Sequence, residues 1–511
     1  MFKRLWNYFR MYGFRQTCLR AWDRIFPRHS VSPGKIPDCS ASAVRFVCDD
    51  LIVSGIDSVS RSMIDASGGF ALHSSGADVS LLPGTLQRIA AFLETVPETD
   101  ILYADSAICA ENGKITGYEF RPDFALEYLR SDDYFGKLIV VRRSFAKKFP
   151  GATNLELMLR GVENGVNIVH IPQLLYTHRS EAPSCDGVES VAEHLDRCGI
   201  AFEEVIAGNR HRRIKYAVEG GPLISILIPS FNNCAVLRRC IDSIIQKTTW
   251  KNLEIVIVEN GSNEAELFDY YKTLQEDPRI KVVSYPVAES FNYSRVNNFG
   301  AKQCSGDYIL FLNNDTEVIS GNFLEEMLSF AQRPDVGVTG AKLYYFDRTL
   351  QHAGVIVGAG SIAAHHSWRS SENDGGYLNT LACAREFSAV TFACAMVRKS
   401  DFFQFGALDE ALGVAYNDID FCLRMVAHGK RVIYTPYAEL FHHESLSRGR
   451  EDTPEKQARI AGEAALFEER HREILENGDP FYNPHLSLSG QSFTLRGRLG
   501  RLKLVQRKKR S

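Results

Sequence analysis

The chain has 511 residues, 45% of them hydrophobic and 24% charged, enough to bury the cores of several domains, which excludes a disordered or fibrous protein. With 59 basic against 62 acidic side chains the formal charge is −3, which argues against a nucleic-acid partner. The charge is uneven: residues 1–30 carry seven Lys/Arg and one Asp, residues 496–511 carry eight and none, and these +6 and +8 ends leave −17 between them.

The first 28 residues set Phe2, Leu5, Trp6, Phe9, Leu19, Trp22 and Phe26 among arginines at near-helical spacing, broken at Gly13. This composition predicts an amphipathic arm over 1–30, lying at an anionic membrane surface or docked on the body. The apolar runs are strand-sized, Leu223 to Pro229 among the longest, and no signal-peptide pattern opens the chain. The expected location is therefore cytoplasmic, peripheral on the inner face of the plasma membrane. Twelve Cys without a CxxC pair read as free thiols acting as small core hydrophobes.

Residues 31–215 are irregular in pattern but contain two echoes of the second half of the chain. Asn154 to Arg179 aligns without a gap on Asp418 to His443, sharing Leu159/Leu423, Arg160/Arg424, Val162/Val426, Gly165/Gly429, Pro172/Pro436 and His178/His442. Gly68 to Ser80 lies on Gly306 to Val318 in the same order, so an internal duplication is expected. From residue 216 to about 460, LISILIPSFN, VLRRCIDSIIQKT and LEIVIVENGSN read as strand, helix and strand; IKVVSYP, a helix over Tyr293 to Gln303 and the strand YILFL come next. This alternation predicts an α/β fold with a mostly parallel sheet and ligands at the strand carboxyl ends. Residues 461–511 read as a helical extension and a basic, solvated tail.

Three polar clusters fall at those ends. Pro229-Ser230-Phe231-Asn232 and Glu259-Asn260-Gly261-Ser262 offer an amide, a carboxylate and a Gly-permitted turn to a nucleobase and ribose, or are ordinary βα turns. Asn313-Asn314-Asp315-Thr316-Glu317 supplies hard oxygens suited to Mg²⁺ or Mn²⁺ held mainly with a ligand's phosphates, or makes an Asx turn. Asn417-Asp418-Ile419-Asp420 opens a helix, where Asp also serves as a cap, yet one carboxylate is free to take a proton from an acceptor hydroxyl. The pair His442-His443 follows a strand, where a neutral imidazole could join the metal.

Together, PSFN, VENGS, LNND, the LQHAG stretch at Leu350 to Gly354, SAVTFACAMVRK, NDIDFCLR and PYAELFHHESLSRG resemble a family 2 glycosyltransferase with the GT-A fold over roughly residues 220–485. They are similar to rhamnosyltransferase-like members that build bacterial O-antigen and other surface polysaccharides. The resemblance implies a Rossmann-like catalytic domain, a nucleoside-diphosphate sugar donor, possible deoxyhexose transfer with inversion, and a saccharide or lipid-linked acceptor. It implies Asp418 as general base, Asp315 and His442 at the metal, and Pro229, Asn232, Glu259, Asn260, Asn313, Asn314, Asp420 and His443 around the nucleotide sugar. Glu259 is a methylene longer than the family's usual Asp, and Asn417 stands where many members have Glu. Residues 31–215 then read as a degenerate, partial GT-A-like module, with Ser75-Gly76-Ala77 in place of Asn313-Asn314-Asp315 and Asn154 in place of Asp418. That degeneracy motivates an alternative expectation, a catalytically inactive scaffold of a polysaccharide assembly complex.

Overall fold

A computed structural model describes residues 69–488 apart from 76–77, 180–185, 287–290, 361 and 444–452, together with Phe493 and Leu495. The arm at 1–30, the tail at 496–511, Gly76, Ala77, Glu444 and Ser445 lie outside the described residues.

The first module runs β1 (Phe70–Ser74), β2 (Ser80–Leu81), α1 (Thr85–Thr95), β3 (Ile101–Cys109), β4 (Ile115–Glu119), α2 (Leu126–Ser131), β5 (Leu138–Arg142), α3 (Arg143–Ala146), α4 (Asn154–Glu163) and β6 (Ile168–Arg179). Then come α5 (Val188–Arg197) and a hairpin of β7 (Phe202–Ala207) and β8 (Arg212–Tyr216). Its sheet has the order β1-β5-β3-β6-β2, with β4 beside β3.

The second module opens with the expected alternation: β9 (Ile224–Ser230), α6 (Cys234–Lys247), β10 (Leu253–Glu259), α7 (Ala265–Leu274), β11 (Ile280–Ser284), α8 (Tyr293–Gln303) and β12 (Tyr308–Leu312). These four strands pair in parallel, and β9 and β10 are near-continuous Ile, Leu and Val because helices cover both faces of a parallel sheet. The chain continues through β13 (Thr316–Val318), α9 (Phe323–Ala331), β14 (Val336–Tyr344), β15 (Leu350–His352) and the hairpin β16 (Val355–Val357) and β17 (Ala363–His365). It ends with β18 (Arg385–Glu386), β19 (Cys394–Arg398), α10 (Lys399–Gln404), α11 (Asn417–Ala427), β20 (Arg431–His442), α12 (Pro454–Arg470) and α13 (Arg472–Asn477). The ten-stranded sheet follows β11-β10-β9-β12-β19-β14-β20-β13, with β15 on β14 and β18 on β20.

The last five positions of that path repeat the first module. Order, strand sense and the extra strand all correspond: β12-β19-β14-β20-β13 with β15 matches β1-β5-β3-β6-β2 with β4, and only the β14/β20 and β3/β6 pairs are parallel. Among the described residues the first module has no counterpart of β9, β10 and β11.

Each module has apolar clusters of its own, and two further clusters join them. Ile101, Tyr128 and Met158 share one with Phe330, Val336, Cys383 and Ile433, and Phe120 shares another with Ile356, Tyr377 and Tyr482. The expected boundary at 215/216 falls between β8 and β9, and both shared clusters cross it. The expected boundary at 460 falls inside α12, which begins at Pro454 because Thr453 caps it by accepting the Lys456 N–H and Pro at the first turn lacks the donor a helix start leaves unused. Among the described residues eight cysteines are free thiols and no helix is long and apolar enough to cross a membrane.

Candidate active site

The antiparallel register of β13 against β20 pairs Thr316 with His442, and this brings LNND to FHH. His442 Nε2 stands 3.2 Å from Asp315 Oδ1 and 3.4 Å from Asn313 Nδ2. The backbone N–H of His443 donates to the Asp315 carbonyl at 2.9 Å, and the His443 ring lies 3.6 Å from the Glu317 carboxylate. Burial pushes the Asp315 carboxyl up, but the facing His442 imidazole outweighs it and holds the group below its ordinary value. Asp315 Oδ1 and His442 Nδ1 are buried without a hydrogen-bond partner. A buried carboxylate oxygen lacking a donor beside an imidazole is a donor set that fits Mg²⁺ or Mn²⁺. Among the described residues no group of three His, Cys, Asp or Glu stands together as metal ligands. Asn314 is buried beside them.

Asp418 lies in the first turn of α11. Its Oδ2 accepts the Phe392 N–H at 3.2 Å and its Oδ1 the Ile419 N–H at 2.9 Å. Burial raises its carboxyl, opposed by those two donors and the Thr391 hydroxyl. A raised carboxyl is a stronger base for an acceptor hydroxyl than an ordinary aspartate. Phe392 also links this centre to the first: its carbonyl accepts from the Tyr293 hydroxyl at 3.2 Å, which lies 3.4 Å from Asn313 Oδ1. A polar string thus runs from Asp418 through Phe392, Tyr293 and Asn313 to His442 and Asp315.

Two of the residues expected at the ligand, Asp420 and Glu259, are engaged by other protein groups. Asp420 is two residues beyond Asp418, so the helix turns it about 200° away. Its oxygens take Arg424 Nε at 2.9 Å and His471 Nε2 at 2.8 Å, which ties α11 to the C-terminal helices. Glu259, expected against the base, is turned into its own loop: Oε1 accepts the Ser262 N–H, and Oε2 accepts the Ser262 hydroxyl at 2.8 Å and the Tyr271 hydroxyl at 2.7 Å. The longer side chain reaches back across the turn, and its carboxylate braces the loop. Asn232, in the left-handed region at φ 47°, accepts the Asn263 N–H through Oδ1 at 2.9 Å and donates its own N–H to Ser262 Oγ at 2.8 Å, locking the PSFN and VENGS turns together. Pro229 lies opposite Val258 at the end of β9, and Asn260 donates its N–H to the Ser230 carbonyl at 3.0 Å.

Sequence reasoning assigned no role to His352. It is fully buried, its Nε2 accepts the N–H groups of Gly354 at 3.3 Å and Thr391 at 3.4 Å, and its Nδ1 lies 2.9 Å from His365 Nδ1. Burial, then the neighbouring His365, His442 and His366, hold its pKa well below the ordinary value, so it stays neutral. It fixes the Thr391-Phe392 backbone that holds Asp418. The available signal was LQHAG itself: Gly354 has φ +97°, and a Cβ there would meet Phe387 at 2.5 Å, so the turn after His352 requires glycine.

In the first module the corresponding groups are differently engaged. Asn154 Nδ2 donates to the Lys137 carbonyl at 3.0 Å, where Asp418 accepts an N–H. His178 Nε2 lies 3.0 Å from Glu119 Oε2, which Arg121 also holds at 2.6 Å.

A GT-A-type α/β domain, with a buried carboxyl raised above its ordinary value and a carboxylate–imidazole pair beside its sheet, is the class these features define. Residues 225–403, within the second module, match the model described as Glycosyl transferase family 2. Over 461 residues the chain is 35% identical to an uncharacterized protein, y4gI, of Sinorhizobium fredii, covering 85% of this chain and 50% of that one. Over 445 residues it is 35% identical to the O-antigen biosynthesis protein RfbC of Myxococcus xanthus, covering 82% of this chain and 34% of that one. The chain thus spans half or less of these relatives' length. A mannosyltransferase from Pyrobaculum calidifontis, solved with GDP-Man and Mn²⁺, is similar with a TM-score of 0.37 and 13% identity over 50% of this chain and 67% of that one.

Proposed function

We propose that this chain is an inverting glycosyltransferase that moves a sugar, a deoxyhexose such as rhamnose being one candidate, from a nucleoside diphosphate to a saccharide or lipid-linked acceptor in O-antigen or related surface-polysaccharide assembly. The family match of the second module and the likeness to an O-antigen biosynthesis protein support the pathway. The observation that carries the chemistry is the polar string joining Asp418 to Asp315 and His442.

In this reading the acceptor hydroxyl gives its proton to Asp418 as its oxygen attacks the anomeric carbon from the face opposite the diphosphate. The Phe392 and Ile419 N–H groups orient the carboxylate for that transfer. Asp315 and His442 would hold Mg²⁺ or Mn²⁺, which would supply charge neutralisation for the leaving diphosphate. The turns locked by Asn232, with Pro229 and Asn260, flank the nucleoside. The first module, at 31–215, is a duplicate that among its described residues has no counterpart of β9, β10 and β11, and its Asn154 and Glu119-bound His178 fit a noncatalytic brace. The basic arms at 1–30 and 496–511 attach the protein to anionic lipid on the cytoplasmic face; deleting residues 2–28 should lower binding to anionic vesicles, and unchanged binding refutes the attachment.

The test is saturation-transfer NMR of the protein against nucleoside diphosphates and nucleotide sugars with and without Mn²⁺, followed by anomeric analysis of the product. Selective, metal-strengthened donor binding lost in Asp315→Ala, with an inverted product, is the expected result. Donor turnover unchanged in Asp315→Ala and Asp418→Asn would replace the enzyme with the scaffold reading.

A further inference from the structure

Beside the diphosphate end of the proposed site the described surface carries an aromatic platform with no role in the chemistry above. Phe346, in the turn between β14 and β15, is 77% exposed, and Trp368, after β17, is 41% exposed. The Phe346 ring lies 6.3 Å from that of Phe441 and 6.0 Å from that of His443, so the platform begins one residue from His442. Trp368 Nε1 donates to the Tyr345 hydroxyl at 2.9 Å, joining the two halves. Large apolar rings left in water at this density mark a binding surface, because monomeric proteins seldom leave them uncovered together.

The surroundings specify the ligand. Arg369 lies over Tyr345 at 4.1 Å and Trp368 at 5.3 Å while Nη1 reaches Asp347 at 3.2 Å; Arg348 lies over Phe441 at 5.6 Å and pairs with Glu372 at 2.7 Å. The two guanidinium groups are each matched by a carboxylate, so among the described residues these pairs bring aromatic faces and many hydrogen-bonding groups but no net charge. A polyphosphate or an anionic bilayer calls for unmatched cations. A pyranose calls for what is present: its C–H face stacks on an aromatic ring and its hydroxyls bond to planar carboxylate and guanidinium groups. The loop is also held in shape before any ligand arrives. Arg348, Ser367 and Arg369 have φ of 59°, 52° and 65°, a region costly for side chains that have a Cβ, and backbone bonds from Leu350 to Ser370 and from Arg369 to Leu350 keep it there.

We propose that Phe346, Trp368 and Tyr345, with the Arg348–Glu372 and Arg369–Asp347 pairs, form a subsite for neutral sugar rings of the acceptor glycan, holding the chain whose end is extended at Asp418. This deepens the transferase reading and rests on it for the word acceptor; sugar binding at the platform stands independently of catalysis.

The test compares wild type, Phe346→Ala and Phe346→Ala/Trp368→Ala on an array of neutral and acidic bacterial oligosaccharides, with phosphatidylglycerol vesicles as a second probe and Mn²⁺-dependent nucleotide-sugar binding measured in parallel. Circular dichroism melts confirm folding, and Phe346→Ala, at the more exposed position, keeps the comparison valid if the double variant unfolds. The expected result is retention of neutral glycans by wild type, weakened several-fold in the single variant and at least tenfold in the double one, with donor and vesicle binding unchanged within twofold. The proposal is overturned if wild type retains no glycan, if the variants retain glycans as wild type does, or if vesicle binding alone falls. Loss of glycan binding in the variants of a protein that binds no nucleotide sugar would sink the transferase reading and leave the sugar platform standing.

Discussion

Replacing Glu127 by Gln tests whether the two modules are one folding unit. Glu127, in α2 of the first module, is 1% exposed, and its Oε1 receives Arg130 Nη1 at 2.7 Å, Arg333 Nη1 at 2.8 Å and Arg431 Nη1 at 3.1 Å, while Oε2 accepts the Tyr216 hydroxyl at 2.6 Å. Arg431 also binds Glu386 at 2.9 Å and Asp335, so three carboxylates face three guanidinium groups, and Arg333 and Arg431 come from the second module. Burial pushes the Glu127 carboxyl up, and Arg333, Arg130 and Arg431 overwhelm that and hold it well below its usual range. Gln keeps the shape and an oxygen for the three arginines, so the substitution removes charge and little else. One uncompensated buried cation costs about 3–5 kcal/mol. Arg333 is the group most exposed to that loss, since its Nε and Nη2 have no hydrogen-bond partner and what remains to it is the field of Asp335 and the Tyr216 and Phe330 rings. Adding Arg333→Met to Glu127→Gln restores neutrality and should recover more than about 1 kcal/mol relative to the sum of the single effects. The assay is urea unfolding followed by far-ultraviolet dichroism and tryptophan fluorescence. A loss below about 1 kcal/mol, far from the cost of a broken buried pair, or two resolved transitions in the wild type, would refute the account of a shared core and a buried ionic joint.

Asp418→Asn should lower transfer by about 10²- to 10⁴-fold while donor binding persists, measured by product formation and NMR titration. Because burial raises Asp418, the acid limb of the transfer rate, where the base is protonated and lost, should lie at a higher pH than an ordinary aspartate gives; a limb at or below the ordinary value contradicts the geometry. Asp479 provides a pH test of stability: burial pushes it up to about 6, although it accepts the Val357 N–H and the Ser388 hydroxyl, each at 2.8 Å. A raised carboxyl contributes stability that is full below about pH 4 and lost as pH rises through about 6, so relative to Asp479→Asn the wild type should lose up to about 3 kcal/mol across that window. A stability difference that does not vary with pH refutes it. Gly354→Ala should destabilise the His352 turn and slow transfer, since the new Cβ would meet the Phe387 ring in a backbone at φ +97°; an unchanged melt and rate would remove His352 from the account.

Local pattern alone determined a large part of this protein. Continuous Ile, Leu and Val in β9, β10 and β12 can only be buried on both faces, and the Gly and Asn residues that follow can only be turns, so the parallel sheet and the positions of Asn232, Asn313 and Asp315 were legible in the chain. The echo between Asn154–Arg179 and Asp418–His443 likewise announced the repeated strand order, because each copy carries the same helix and strand. Which way a polar group faces was decided elsewhere. Asp420 faces away from Asp418 because half a helical turn separates them, and it meets His471 at the junction of α12 and α13; Glu259 folds back because Tyr271 on α7 offers a hydroxyl. His352 reaches the Thr391 backbone, and Phe392 reaches Asp418, only through tertiary packing, and the joint at Glu127 exists only where two modules share an apolar cluster. Periodicity is a property of neighbours in sequence and so survives in the order of residues along the chain. Orientation of a buried carboxylate is set by whichever distant donor best offsets its desolvation, and that donor is chosen by tertiary packing.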